Sequence, residues 1–341
     1  MSNFKKVGGR YGFHSGSGRV KNFQVDGDLF VQGNSFPVVG EGKVWYVDGD
    51  LAANGDGTTW STACNTIQSA INNAGAGDVI FVTSKTMAAG ATDPSSYAET
   101  LTIAAAKSNL SLIGVDRGRT QGGLPQISKG SGAVALLTIR APGCLIANLG
   151  FNGAGSTGGG ILLDDDGLTK SAFGTTIIGC HFKNCKGSSA TDASTGGAIQ
   201  WSSAGNAWQV YIAGNRFYKN VGDIVLMGTS GSVPQDVVIE DNIFSGPSAN
   251  VDCNLYLGAG SGMNGVIIRN NDFTAVPAVG LGTNVKFLML TGCFGELSGN
   301  RFASNGRTFG AAGNDLVPTT VFLAANYQEK STSGSGEIFR T

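Results

Sequence analysis

The chain has 341 residues, a formal net charge of −1 and 41% apolar residues, enough for a continuous core and incompatible with a disordered polymer. Only 14% of residues are charged, and 54 glycines stand against 8 prolines, the balance of many short strands and tight turns rather than long surface helices. Near-neutrality leaves no global field to gather nucleic acid or an anionic membrane, so neither is expected as a partner.

Residues 1–42 differ from the rest. Lys5, Lys6, Arg10, Arg19 and Lys21 all precede the first acid, Asp26, within a Gly- and Ser-rich stretch that reads as a basic arm. No apolar run follows the two lysines, so the segment reads as neither secretory signal nor membrane anchor, and folding in a cytoplasm is expected. The text VDGDLFVQGN (25–34) alternates apolar and polar residues around glycines, as a short hairpin or exposed strand does. Such a piece cannot bury itself alone: it is either a solvated tail or, the reading preferred here, an arm that docks and orders against a partner subunit.

From Val44 the pattern becomes strand, turn, helix, turn, strand. In the helix, Ile67, Ala70 and Ile71 form an i, i+3, i+4 stripe, suited to a lid on the first coil of a solenoid.

Six segments then end on the same residue: CLIANLGF, TTIIGCHF, VYIAGNRF, VVIEDNIF, VIIRNNDF and GELSGNRF close at Phe151, Phe182, Phe217, Phe244, Phe273 and Phe302. Spacings of 31, 35, 27, 29 and 29 residues are those of a coil with insertions in its early turns. Each segment precedes a second apolar run: GGGILL, GGAIQW, GDIVLM, CNLYLG, VKFLML and TTVFLA. Five residues before each Phe stands an aliphatic ladder of Ile146, Ile177, Ile212, Ile239, Ile268 and Leu297; two residues earlier stand Cys144, Thr175, Val210, Val237, Val266 and Gly295. Both columns point inward by the period of two, and Thr176, Tyr211, Val238, Ile267 and Glu296 between them point outward. Two residues before the Phe the column reads Leu149, Cys180, Asn215, Asn242, Asn271 and Asn300, which predicts an internal amide ladder, with asparagine also suited to a left-handed turn. The pattern predicts an all-β, right-handed parallel β-helix over 43–325, with a cap helix and an extended N-terminal arm. Some eight coils at the parallel-strand spacing span on the order of 40 Å. Residues 326–341 lose the pattern and read as a tail or capping segment. The six cysteines, without CxxC spacing, read as buried free thiols.

The stretch Tyr46–Ile113, with DGTTWSTACNTIQSAI, AGDVIFV, YAETLTI and LSLIG, resembles the entry coils of the pectate-lyase-like β-helix superfamily, and with the repeats the resemblance covers residues 44–325. The arm and VDGDLFVQGN are similar to N-terminal segments of tailed-phage fibre, spike and capsid-decoration proteins. The resemblance implies a virion protein at the particle surface, folded in the host cytoplasm before assembly. It also implies a homotrimer and a major capsid or tail protein as partner. Other superfamily members are polysaccharide lyases and hydrolases, so host polysaccharide is a further possible partner, and a tailspike depolymerase and a non-catalytic glycan-binding adhesin stand as alternatives.

Glycoside hydrolysis needs two carboxyls roughly 5–9.5 Å apart. The candidates are Asp164, Asp165 and Asp166 after one second-run strand, Asp192 in an inserted loop, and Asp223 with Asp252 on following coils. Arg269 falls in the column of Glu240 and Arg301 in that of Asp272, as ladder ion pairs do. His181, between Cys180 and Cys185 at irregular spacing, makes a poor zinc site, and no metal or cofactor is expected. Trp201, Trp208, Tyr211, Tyr218 and Tyr256 are candidate outward aromatics for glycan or partner contact.

Overall fold

The computed structural model describes residues 42–116, 123–154, 156–167, 171–201, 208–226, 234–245, 253–275, 286–304, 315–328 and 336–338, with four short strands before residue 36. The chain divides into two units, Met1–Val38 and Val39–Thr341. In the first, the backbone of Lys5–Val7 pairs antiparallel with Arg10–Gly12, and Phe30–Val31 with Asn34–Ser35, so VDGDLFVQGN does contain hairpin pairing. Arg19 and Lys21 lie outside the described residues.

In the second unit, short strands build three parallel stacks. The first begins with Val44–Val47, Val79–Val82 and Ser111–Gly114, and continues through Leu145–Ala147, Thr176–Ile178, Tyr211–Ala213 and Val238–Glu240. The second begins at Ser96–Tyr97 and Gln126–Ser128 and runs through Gly150–Asn152, His181–Lys183, Arg216–Tyr218, Ile243–Ser245, Asp272–Ala275, Arg301–Ser304 and Asn326–Gln328. Leu101–Ile103, Leu137–Ile139, Ile161–Leu163, Ile199–Trp201 and Gly222–Leu226 begin the third. Two long strands, Cys253–Arg269 and Lys286–Ser298, pass from the third stack into the first. Gly258, Gly262, Gly265 and Gly292 supply the left-handed backbone that turns them. The chain is a right-handed parallel β-helix of about seven turns.

The side-chain columns follow from the strand register. Ile146, Ile177, Ile212, Ile239 and Ile268 are fully buried, while Thr176, Tyr211, Val238, Ile267 and Glu296 are half-exposed. Because adjacent rungs lie about 4.8 Å apart, identical rings in one column must stack face to face. Phe151, Phe182, Phe217, Phe244, Phe273 and Phe302 do so, with centroids 4.7–5.1 Å apart and planes within 12°. Tyr97 and Ile127 extend the column toward the N-terminus.

The asparagine ladder is complete in its hydrogen bonds. The Oδ1 of Asn242 accepts from the backbone N–H of Asn215 at 2.9 Å and from its Nδ2 at 3.1 Å, while its own Nδ2 donates to the Ile212 carbonyl at 3.0 Å. The same three-way pattern repeats from Asn242 to Asn271, Asn271 to Asn300 and Asn300 to Asn326. Cys180 ends it, its N–H donating to the Asn215 Oδ1 at 2.9 Å. One expectation needs correcting: the ladder asparagines do not carry the left-handed turn. That conformation falls one residue earlier, at Asn148, Gly179, Gly214, Asp241, Asn270, Gly299 and Ala325. Turning the preceding residue leaves the asparagine side chain directed inward, where the amide is needed.

The run TTVFLA departs from the expected second apolar run. Val321 pairs with Gly295 and Leu323 with Leu297, so this run is the next rung of the first stack and not a second-run strand. Asn326 is then the next ladder asparagine, with Gln328 in the phenylalanine column, and the stack continues past residue 325 until Gly336–Ile338 pairs antiparallel on its end. Alignment on phenylalanine concealed this repeat; the V-x-L-x-x-N spacing reveals it.

The cap helix spans Ile67–Asn73 and buries Ile67, Ala70 and Ile71 over the first coil. Thr66 caps it, and Glu99 reaches across from the coil below to accept from the backbone N–H of Ile67 and Gln68, both at 2.9 Å. A carboxylate on two otherwise unpaired donors at a helix start is a strong cap. Glu99→Ala is expected to cost about 1–2 kcal/mol, read as a lower urea midpoint, whereas Glu99→Gln retains part of the cap.

Candidate functional site

The candidate acids are held in different settings. Asp164 follows the third-stack strand Ile161–Leu163 and pairs with Arg140 one rung away at 2.9 Å. Asp165 accepts from the Gly167 N–H at 3.0 Å in the same turn, with Asp166 between them. On the inserted loop, Asp192 caps the short helical turn Ala193–Thr195, accepting from the Ser194 N–H at 2.9 Å and its hydroxyl at 2.6 Å. Asp252 lies outside the described residues.

Asp223 is not a surface acid at all. It is 3% exposed, with Asn220 Nδ2 donating to Oδ1 at 2.8 Å and Asn254 Nδ2 to Oδ2 at 2.6 Å. Burial pushes its carboxyl up to about 7, against the pull of the two amide donors. Asn220 also accepts from the Cys185 N–H at 2.8 Å and donates to the Phe182 carbonyl at 3.2 Å, so Asp223 extends a second internal ladder. Asp164 lies just past one end of a third-stack strand, whereas Asp223 stands three residues before Leu226, the partner position of Leu163 two rungs on. Four strand positions amount to roughly 13 Å before the rungs are counted, beyond the separation of a glycosidase pair.

The aromatics are likewise dispersed. Trp201 was expected outside but belongs to the core: it is 6% exposed and in register with inward Leu163. The strand phase explains this, since Ile199 and Trp201 flank Gln200, whose side chain donates to the Gly158 carbonyl at 2.7 Å and accepts from the Gly197 N–H. Trp208 is 41% exposed and meets Phe173 edge-on at a corner. Tyr211 is on the first stack, Tyr218 on the second and Tyr256 on the third, so no two share a face. Tyr211 donates to Glu240, which also holds Arg269, and the two partners keep the Glu240 carboxyl below the usual range. Arg301 pairs with Asp272 at 3.3 Å, so both expected ladder ion pairs are present.

All six cysteines are free and buried, and burial pushes the thiols of Cys144, Cys185 and Cys293 up to about 12, which keeps them protonated and unreactive. Among the described residues no group of three or more His, Cys, Asp and Glu side chains is placed to hold a metal, and no helix is long and apolar enough to cross a membrane.

No family model matches the chain, and no curated protein matches it. Among solved structures it is similar to ORF18 of Geobacillus virus E2, at 12% identity and a TM-score of 0.41 over 84% of this chain. The chain spans 60% of that protein's length. It is also similar to a pectin methylesterase from Aspergillus niger, at 15% identity and a TM-score of 0.28, covering 87% of this chain and 91% of that one. A GH136 lacto-N-biosidase from Eubacterium ramulus matches at 10% identity and a TM-score of 0.30, over 83% of this chain and 68% of that one.

Proposed function

We propose that the chain is a structural protein of a tailed-phage virion surface, a capsid decoration protein or short spike, anchored by its N-terminal arm with the β-helix projecting. The observation that carries this reading is the employment of the acids. Asp164 is paired, Asp192 caps a loop turn and Asp223 is buried in an amide ladder, so each is engaged within the fold, whereas a polysaccharide-cleaving enzyme would present a facing pair. The phage assignment itself rests on the sequence resemblance of residues 1–42 and 44–325. By that resemblance the assembled form is a homotrimer on a major capsid or tail protein, and folding precedes assembly in the host cytoplasm.

Deletion of residues 1–42 is expected to abolish attachment to particles while leaving the far-ultraviolet spectrum of the β-helix intact. Attachment that survives the deletion refutes the anchor. In parallel, incubation with capsular and O-antigen polysaccharides is expected to release no reducing ends and no unsaturated products. Turnover would overturn the structural reading in favour of a tailspike depolymerase, and capture on a glycan array without cleavage would favour an adhesin.

A further inference from the structure

The outer face of the second stack carries a cationic cluster that none of the roles above uses. His181 and Lys183 flank inward-facing Phe182, and Arg216 and Tyr218 flank inward-facing Phe217 on the next rung, with His181 in register with Arg216 and Lys183 with Tyr218. Rung spacing and the strand rise place these four outward side chains on a patch of about 5 by 7 Å. Lys219 adds its ammonium over the Tyr218 ring at 5.1 Å. Charge is segregated here although the whole chain is balanced: between His181 and Lys219 the sequence holds Lys183, Lys186 and Arg216 against one acid, Asp192, which is spent on its helical turn.

One corner of the patch is already occupied. Asp93, from the segment TDPSS that leads into Ser96–Tyr97, reaches Lys183 at 2.5 Å, and the Lys183 side chain is only 16% exposed. Among the described residues the opposite corner has no such acid. Among the described residues Arg216 has no acidic partner: its next neighbour in the column is Ile243, and the acid after that, Asp272, is held by Arg301. His181 adds no charge of its own at neutral pH, because burial and the nearby Lys183 and Arg216 keep its imidazole neutral, down to about 4.

We propose that this face is a docking site for an acidic peptide segment of a partner protein, whose carboxylates engage Arg216 and His181 as the chain's own Asp93 engages Lys183. The group already in place is a side-chain carboxylate, Asp93 on Lys183, and a second carboxylate suits Arg216 by the same chemistry. Arg216 supplies a forked, charge-assisted donor and His181 a neutral ring donor beside it.

Binding of a fluorescent oligoglutamate peptide to the full chain at low ionic strength, followed by anisotropy, tests it. Arg216→Gln is expected to weaken binding by about tenfold and Arg216→Lys by less, the loss of one partner in a close charge pair. Asp93→Asn, which vacates the Lys183 corner, is expected to tighten binding, and Lys43→Gln, just before the strand Val44–Val47, to leave it unchanged. Circular dichroism of each variant confirms that the coil is intact; Asp93→Asn provides a gain of affinity that unfolding cannot mimic. The proposal is overturned by the absence of saturable binding or by affinity indifferent to Arg216 and Asp93. Equal binding of polygalacturonate or single-stranded DNA with the same Arg216 dependence also overturns it, by showing an unselective polyanion surface.

Discussion

Asn271→Ala is expected to destabilise the coil by about 3–5 kcal/mol, from the several buried hydrogen-bonding groups it strands at once. The Asn271 Oδ1 accepts from the backbone N–H and Nδ2 of Asn242, both at 3.0 Å, and its Nδ2 donates to the Ile239 carbonyl at 2.9 Å and the Asn300 Oδ1 at 3.0 Å. Alanine leaves all four partners inside the coil, where no water replaces the amide. Asn271→Asp is expected to be worse at neutral pH despite its identical shape, because a carboxylate oxygen would face two acceptors. Urea unfolding of the two variants provides the measurement. A loss below about 1 kcal/mol for alanine would mean that the ladder is a passenger of the stacked core and not a support of it.

Asp223→Asn is expected to act in the opposite direction. An unfolded aspartate titrates near 3.9, whereas the folded carboxyl titrates at about 7, so the native state binds the proton more tightly. The stabilisation from that proton is fully present below about pH 4 and is lost as pH rises through 7. Over this window the linkage amounts to at most roughly 4 kcal/mol, so the wild-type chain weakens from acid to neutral pH at this site. Asparagine carries no charge to bury, and the Asn254 amide can turn to present its oxygen to the new donor. The variant is therefore expected to match the wild type near pH 4 and to exceed it by about 2–4 kcal/mol at pH 8, with a flatter stability profile between. A variant that keeps the wild-type slope would place the titration elsewhere.

The two substitutions also mark how far the sequence could be read. Asn271 was legible because four asparagines share one column, and a side chain repeated at the rung spacing can only meet its own copies. Asp223 reads in the sequence only as a candidate catalytic acid, since its partners Asn220 and Asn254 lie on different coils and no repeated spacing joins the three. Trp201 failed for a similar reason: aromatic residues suit both faces of a strand, and the phase of Ile199–Trp201 is set by the loop that precedes it. The cluster of His181, Lys183 and Arg216 became visible only once the register was known, because Asp93 reaches it from a distant part of the chain.

By itself the sequence determined the β-helix, its phenylalanine and isoleucine columns, its amide ladder and its helical cap. Periodic burial, hydrogen bonding and helix amphipathicity are local or repeat at one interval, so they are written where they act. Tertiary structure alone decided which acids are buried, which aromatics face inward and which charges stand together. Those properties depend on how insertions of unequal length bring non-repeating residues from different coils side by side, and no spacing along the chain encodes that.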